Sequence, residues 1–188
     1  SHLKVPKPFL GLAQSVSCHA DDSCFALLYK VLWRLQTEAQ LLDNEADSDV
    51  HALLMMQKSV HRDAHKMKAF VRFREVNARE PASRRSFIAW FEPEHFIIRA
   101  TAPFFARRFA DMDWAIITPK GSALFRNAML DFGPGEQQPP LPEDASEELW
   151  KAYFSNIFNP ARLKVKSMQS HMPKKYWHNM PEAQLIPG

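Results

Sequence analysis

His61 and His65 stand one helical turn apart with Asp63 between them, a spacing that sets two imidazoles on one helix face and suits a zinc ion. The metalloprotease form of this pattern needs a glutamate beside the first histidine, and Arg62 occupies that place. Two ordinary histidines on a helix face read the same way. Cys18, His19 and Cys24 are a second group of potential ligands, but no fourth ligand stands nearby, and buried thiols acting as small apolar side chains account for them as well. No metal and no cofactor is expected. Glu75 and Glu92 fall on two expected neighbouring strands, with Glu94 close behind. A carboxylate pair could exchange protons as acid and base or hold a divalent ion for phosphodiester cleavage. Strand-end glutamates paired with Arg72, Arg74 or Arg99 are the plainer alternative. Asp63, with His65 and Lys66, is a comparable case, so Asp63, His65, Glu75 and Glu92 are the candidates for acid and base roles. There is no glycine-rich phosphate loop and no G-x-S-x-G nucleophile elbow.

The cations point more clearly. Residues 58–85 carry nine Lys or Arg against three acids, on an expected helix that runs into an expected hairpin. Near the C-terminus Arg162, Lys164, Lys166, Lys174 and Lys175 interleave with Tyr176, Trp177 and His178. Cations for phosphates and flat rings for bases are what single-stranded or flipped nucleotides require. A tail with its aromatics packed and its lysines in water gives the same string. Lys66, Arg72, Arg74, Arg162, Lys174, Lys175, Tyr176 and Trp177 are therefore the candidate nucleic-acid contacts. The net charge of +3 is segregated: residues 38–49 and 136–148 each hold five acids and no base, and residues 151–181 hold six bases and no acid.

These side chains need a scaffold. Apolar spacing predicts a first helix through Phe9, Leu12, Ala13 and Val16, ended by Cys18 and His19, then a capping break at Asp21, Asp22 and Ser23. A second helix should carry Phe25, Leu28, Leu32 and Leu35 as its stripe, with Trp33 beside it. After an acidic loop, a third helix should start at Ser48 or Asp49 and carry Val50, Leu53, Leu54, Gln57 and Val60 towards His65. Alternation predicts a strand at 68–76 and its hairpin partner at 87–92. Pro93 should open a helix that Pro103 splits into 93–100 and 103–110. Residues 114–118, 122–125 and 129–132 read as a three-stranded meander, and 133–142 as a proline-rich connector. Ser146 should cap a helix striped with Leu149, Trp150, Tyr153, Phe154 and Ile157, followed by a short basic helix at 161–168. The expected fold is a single α+β domain, with an antiparallel sheet of about five strands and helices from both ends of the chain packed on it. With 188 residues, 46% apolar, the chain can bury a sizeable core. Two cysteines exclude a secreted disulfide framework, and no apolar run is long enough to span a bilayer, so a cytoplasmic protein with no membrane partner is expected.

The strings RDAHKMKAFVRFREV, FIAWFEPEHFIIRATAPFFARRFADMDWAIITPKGSA, LDFGPG, IFNPARLKVKSM and MPKKYWHNMPEA resemble a bacterial family of uncharacterised DNA-metabolism and repair domains. Its members are encoded beside a radical S-adenosylmethionine DNA-modification protein or fused to X-type uracil-DNA glycosylases. The resemblance implies an accessory role in DNA repair with one of those enzymes, and implies no particular reaction. Those glycosylases hold an iron–sulfur cluster on four cysteines, and this chain has two and lacks a Gly-Glu-x-Pro-Gly loop, so it resembles the companion domain and not the glycosylase. Its start resembles a truncation of longer members. Three functions follow as expectations: a DNA-binding accessory module, an enzyme on damaged DNA or a nucleotide, and a docking scaffold for a repair enzyme.

Overall fold

The computed structural model describes residues 3–76 and 85–137. The expected C-terminal helices, and with them Arg162, Lys174, Lys175, Tyr176 and Trp177, lie outside the described residues. In chain order the elements are α1 (Lys7–Val16), α2 (Ser23–Arg34), a 3-10 turn (Leu41–Asp43), α3 (Ser48–Phe70), β1 (Arg74–Val76), β2 (Ser86–Trp90), α4 (Ile98–Arg108), β3 (Asp113–Thr118), β4 (Gly121–Arg126) and β5 (Met129–Gly133).

Helix α3 is the spine. Asp47 caps it by accepting from the backbone N–H of Asp49 at 3.0 Å and of Val50 at 3.2 Å. No glycine or proline interrupts the next 23 residues, a length of roughly 35 Å. Its inward residues serve two separate cores. Val50 and Leu53 pack with Leu12, Val16, Leu28 and Val31 in an all-helical core. Val60 and Met67 pack with Phe105, Trp114, Ile116 and Phe125 in a core between helices and sheet. On α2 the buried positions are Cys24, Leu28 and Val31, continued by Leu35 just past its end: Leu28 and Leu35 are as expected, while Cys24 and Val31 take the buried places expected for Phe25 and Leu32. Phe25, Tyr29 and Trp33 are each more than half exposed as a result.

The sheet is mixed, which corrects the expected antiparallel one. Strand order follows the sequence, β1 to β5, but β2 and β3 are parallel, with Ile88 opposite Ala115 and Trp90 opposite Ile117. Helix α4 lies between them in the chain and returns it to the starting end of β2, as a parallel pair requires. The other neighbours are antiparallel. Pleating divides the side chains. Phe87, Ala89, Trp114, Ile116, Ala123 and Phe125 face α3 and α4, while Ile88, Ala115, Ile117 and Leu124 take the opposite face. All four of the latter are buried, Ile117 to 1% exposure.

Two local expectations are also corrected. The strand expected from Lys68 is shorter, because α3 continues to Phe70 and ladder pairing begins only at Arg74. The helix expected at Pro93 starts at Ile98 and runs unbroken through Pro103. The carbonyl that loses its donor there belongs to exposed Arg99, where water can replace it.

The β4–β5 turn places Asn127 at φ 51° and Ala128 at φ 62°, the mirror-image turn that suits the twist of a hairpin. Ala128→Gly removes a Cβ from that conformation and is expected to raise unfolding stability by about 1 kcal/mol in urea titration. A Cβ on Gly135 would run into the Pro119 carbonyl and the Gly121 nitrogen, so Gly135→Ala is expected to cost about 3 kcal/mol in the same assay.

Candidate functional site

The described polar side chains converge at one place, where α3 passes between the two cores. Asp63 is 3% exposed and His95 4% exposed. The Asp63 carboxylate accepts the backbone N–H of His95 at 2.9 Å, and the Cys18 carbonyl accepts that of Phe96 at 2.8 Å. These tertiary bonds take the N–H groups of residues 95 and 96, and the helix begins only beyond them. The His95 ring is held at both nitrogens: Nδ1 accepts from the Ala20 backbone N–H at 3.1 Å, and Nε2 lies 2.9 Å from Ser59 Oγ. His19 stacks on it at 4.4 Å between ring centroids, tilted by 32°.

That geometry fixes the tautomer. A nitrogen that accepts from a backbone N–H carries no proton, so the neutral ring bears its proton on Nε2 and donates it to Ser59. Ser59 and His95 are therefore not a nucleophile and its base, since the nitrogen facing the hydroxyl is already protonated. Nor is Asp63 free to orient the ring, because its oxygen is engaged by backbone. The cluster is a structural tie joining the α1–α2 turn, α3 and the segment before α4.

The four acid–base candidates do not meet. Asp63 is turned into this tie, whereas His65, two residues on, faces solvent. Glu75 is gripped by Arg85 through two hydrogen bonds of 2.6 Å, which hold its carboxyl below the usual range. Glu92 accepts from Trp90 Nε1 at 3.2 Å. Glu75 lies opposite Phe87, and Glu92 is five residues farther along, so the two carboxylates are separated by roughly 17 Å of strand. Glu92 instead lines a shallow cleft of about 460 Å³ with Trp90, Pro119, Gly135, Glu136 and Gln137. His61 Nε2 lies 3.1 Å from Ser15 Oγ, while His65 faces solvent. Among the described residues no three His, Cys, Asp or Glu come together to hold a metal ion.

The cations are better organised. Lys58, Arg62 and Lys66 repeat at one-turn spacing on the exposed side of α3, with His65 beside them and Lys68 and Arg72 beyond. Asp63 is the only acid from residue 58 to 72, and it is buried, so the chain from Lys58 to Arg72 offers solvent positive charge alone. Lys66 has one weak partner, Glu94, at 3.6 Å. Arg72 is anchored by donating to the carbonyls of Ala69 at 2.8 Å and Val71 at 3.1 Å. Arg74 is exposed on the edge strand β1. Sequence reasoning singled out Lys66, Arg72 and Arg74 but not Lys58 and Arg62, although their spacing with Lys66 was visible. It missed His95 altogether, which lay inside an expected helix with nothing local to mark its partners.

The acidic segment is largely spoken for. Arg34 binds Glu38, Asp47 and Asp49 at 2.8 to 3.0 Å, and Lys30 binds Asp49 at 2.8 Å. The guanidinium holds the Asp47 carboxyl down to about 2. Those acids pin the start of α3 to α2.

Burial, with the neighbouring His19 ring, pushes the His95 imidazole below its ordinary value, while Asp63 and Glu94 oppose that shift and Lys120 adds to it. The folded state thus favours the neutral ring, and protonation would set a proton on Nδ1 against the Ala20 N–H. The tie contributes fully above the unfolded value of about 6.5 and is lost as pH falls below it. Melting temperature is expected to drop between pH 7 and pH 5, with a smaller drop in His95→Gln, measured by scanning calorimetry.

Neither a curated protein nor a solved structure matches this chain. A family model does match, over residues 22–182, which takes in α2, α3, the whole sheet and most of the C-terminal stretch. By that match the chain belongs to the family described as domain of unknown function DUF4130.

Proposed function

We propose that this chain is a DNA-binding accessory module that works with a base-excising or base-modifying enzyme of DNA repair, a uracil-DNA glycosylase or a radical S-adenosylmethionine protein. The observation that carries this reading is the run of Lys58, Arg62, Lys66, Lys68 and Arg72 along and just past one helix, whose single carboxylate, Asp63, is turned inward. Cations one turn apart on a rigid helix suit successive phosphates and need little ordering on binding. Arg74 extends the run onto β1. Arg162, Lys174 and Lys175 would add phosphate contacts, and Tyr176 and Trp177 would stack bases.

The docking-scaffold reading has its own support and complements the first. Phe25, Tyr29 and Trp33 form an exposed aromatic stripe on α2. Lys30 and Arg34 on the same helix are paired with Asp49, Asp47 and Glu38, so the stripe is flanked by neutralised charges and suits an apolar protein surface. The partner enzyme would seat there and leave α3 to DNA. The enzyme reading finds no support in the positions of Asp63, His65, Glu75 and Glu92, which do not converge.

Fluorescence anisotropy with a labelled oligonucleotide at low salt tests the module. Arg62→Glu with Lys66→Glu is expected to weaken binding at least tenfold and to lower the log–log salt slope by about 2, as loss of two phosphate contacts should. Unchanged affinity and slope in that variant would remove α3 from the interface.

A further inference from the structure

Helix α3 carries an aromatic ring where its row of cations ends. Phe70 lies one turn beyond Lys66, as Lys66 lies beyond Arg62 and Arg62 beyond Lys58, so the four follow one ridge at intervals of about 6 Å. Phe70 is 63% exposed. The core at this end is filled without it. Met67 and Val71 are buried there, and the ring the core receives is Phe73, which packs edge-on against Phe109 at 5.2 Å and Phe105 at 6.0 Å. Cations bracket Phe70 along the chain, with Lys66, Lys68, Arg72 and Arg74 four and two residues to either side. Arg72 folds back on the helix end and donates to the carbonyls of Ala69 and Val71, the residues before and after Phe70. Lys66 is paired only loosely, with Glu94 at 3.6 Å. The exposed rings of α2 have a different setting, since Lys30 and Arg34 beside them are held by acids at 2.8 to 3.0 Å.

We infer that Phe70 is a stacking platform for a base of single-stranded DNA, set where the cations of α3 hold the phosphates that flank that base. The inference rests on the DNA-binding reading and deepens it, because it selects the single strand over the intact duplex. A cation meets a phosphate equally in either form. A phenyl ring lies on a base only where the base face is open, as it is along a single strand. Phenylalanine has neither donor nor acceptor with which to read a base edge, so the contact tolerates any sequence and leaves the choice of target to the partner enzyme. The ring sits at the end of a helix anchored in both cores, so little order has to be gained when a base settles on it.

Fluorescence anisotropy of the full chain with a labelled single strand, its matched duplex and the same strand made abasic tests it. Phe70→Ala is expected to weaken binding to the single strand about tenfold. The salt slope and the melting temperature should stay as in the wild-type chain, since no phosphate contact and no buried side chain is lost. Phe70→Leu should bind as weakly as Phe70→Ala, and Phe70→Trp should keep wild-type affinity. Binding to the duplex and to the abasic strand should not respond to any of the three. The inference is overturned if Phe70→Leu binds like the wild-type chain, which would make the contact merely apolar. It is equally overturned if Phe70→Ala weakens binding to the duplex or the abasic strand as much as to the intact strand, which would make it a backbone contact. Wild-type affinity of Phe70→Ala for the single strand overturns it too. In that case a loss in Arg62→Glu with Lys66→Glu shows that the DNA-binding reading survives without the stacking, and no loss in either variant removes both.

Discussion

The hydrogen bond from the His95 backbone to Asp63, in the buried tie with Ser59 and Ala20, is what the rest of the structure depends on. A carboxylate this far from water is costly unless its oxygens are used, and leaving a buried N–H unpaired costs about 1–3 kcal/mol. Each group therefore holds the other in place. With the Ala20 and Cys18 bonds beside it, the tie joins the turn after α1 and helix α3 to the loop after β2. It also turns the one acid of the basic stretch inward. The same contact thus supports the joining of two cores and the charge of one surface.

Helix α3 makes that arrangement economical. One end is fixed to α2 through Arg34, Asp47 and Asp49, and its other half is packed on the sheet, so its solvent face is a rigid row of cations. The aromatic stripe of α2 lies on the outer surface of the helical core, beside the paired charges of Lys30, Arg34 and their acids. A cationic surface and an apolar one on a single frame suit a module that holds a polyanion with one and a protein with the other.

The meander was legible because β3, β4 and β5 are apolar runs separated by turn residues, and the structure places all three within a residue or two of expectation. The start of α3 was legible because an acidic loop gives way near Ser48 to an unbroken helical pattern. The parallel pairing of β2 and β3 was not, since strand direction is set by α4 as a crossover and not by either strand's residues. Phe25 misled because aromatic spacing reports which residues could face a core, while packing set Cys24 and Val31 beside the expected Leu28 and Leu35. Of the candidate site, the basic character of residues 58–72 was readable as composition, but the burial of Asp63 was not. It depends on His95, 32 residues away, whose partnership leaves no periodic trace.

The central claim, that the Asp63 tie couples the helical core to the sheet core, is tested most directly by hydrogen exchange of Asp63→Ala and wild-type protein in increasing denaturant. The account predicts that α1, α2 and the sheet open together in the wild-type chain, and that α1 and α2 open at lower denaturant than β3 and β4 in the variant. Joint opening of both cores in the variant, at wild-type denaturant concentrations, would contradict it.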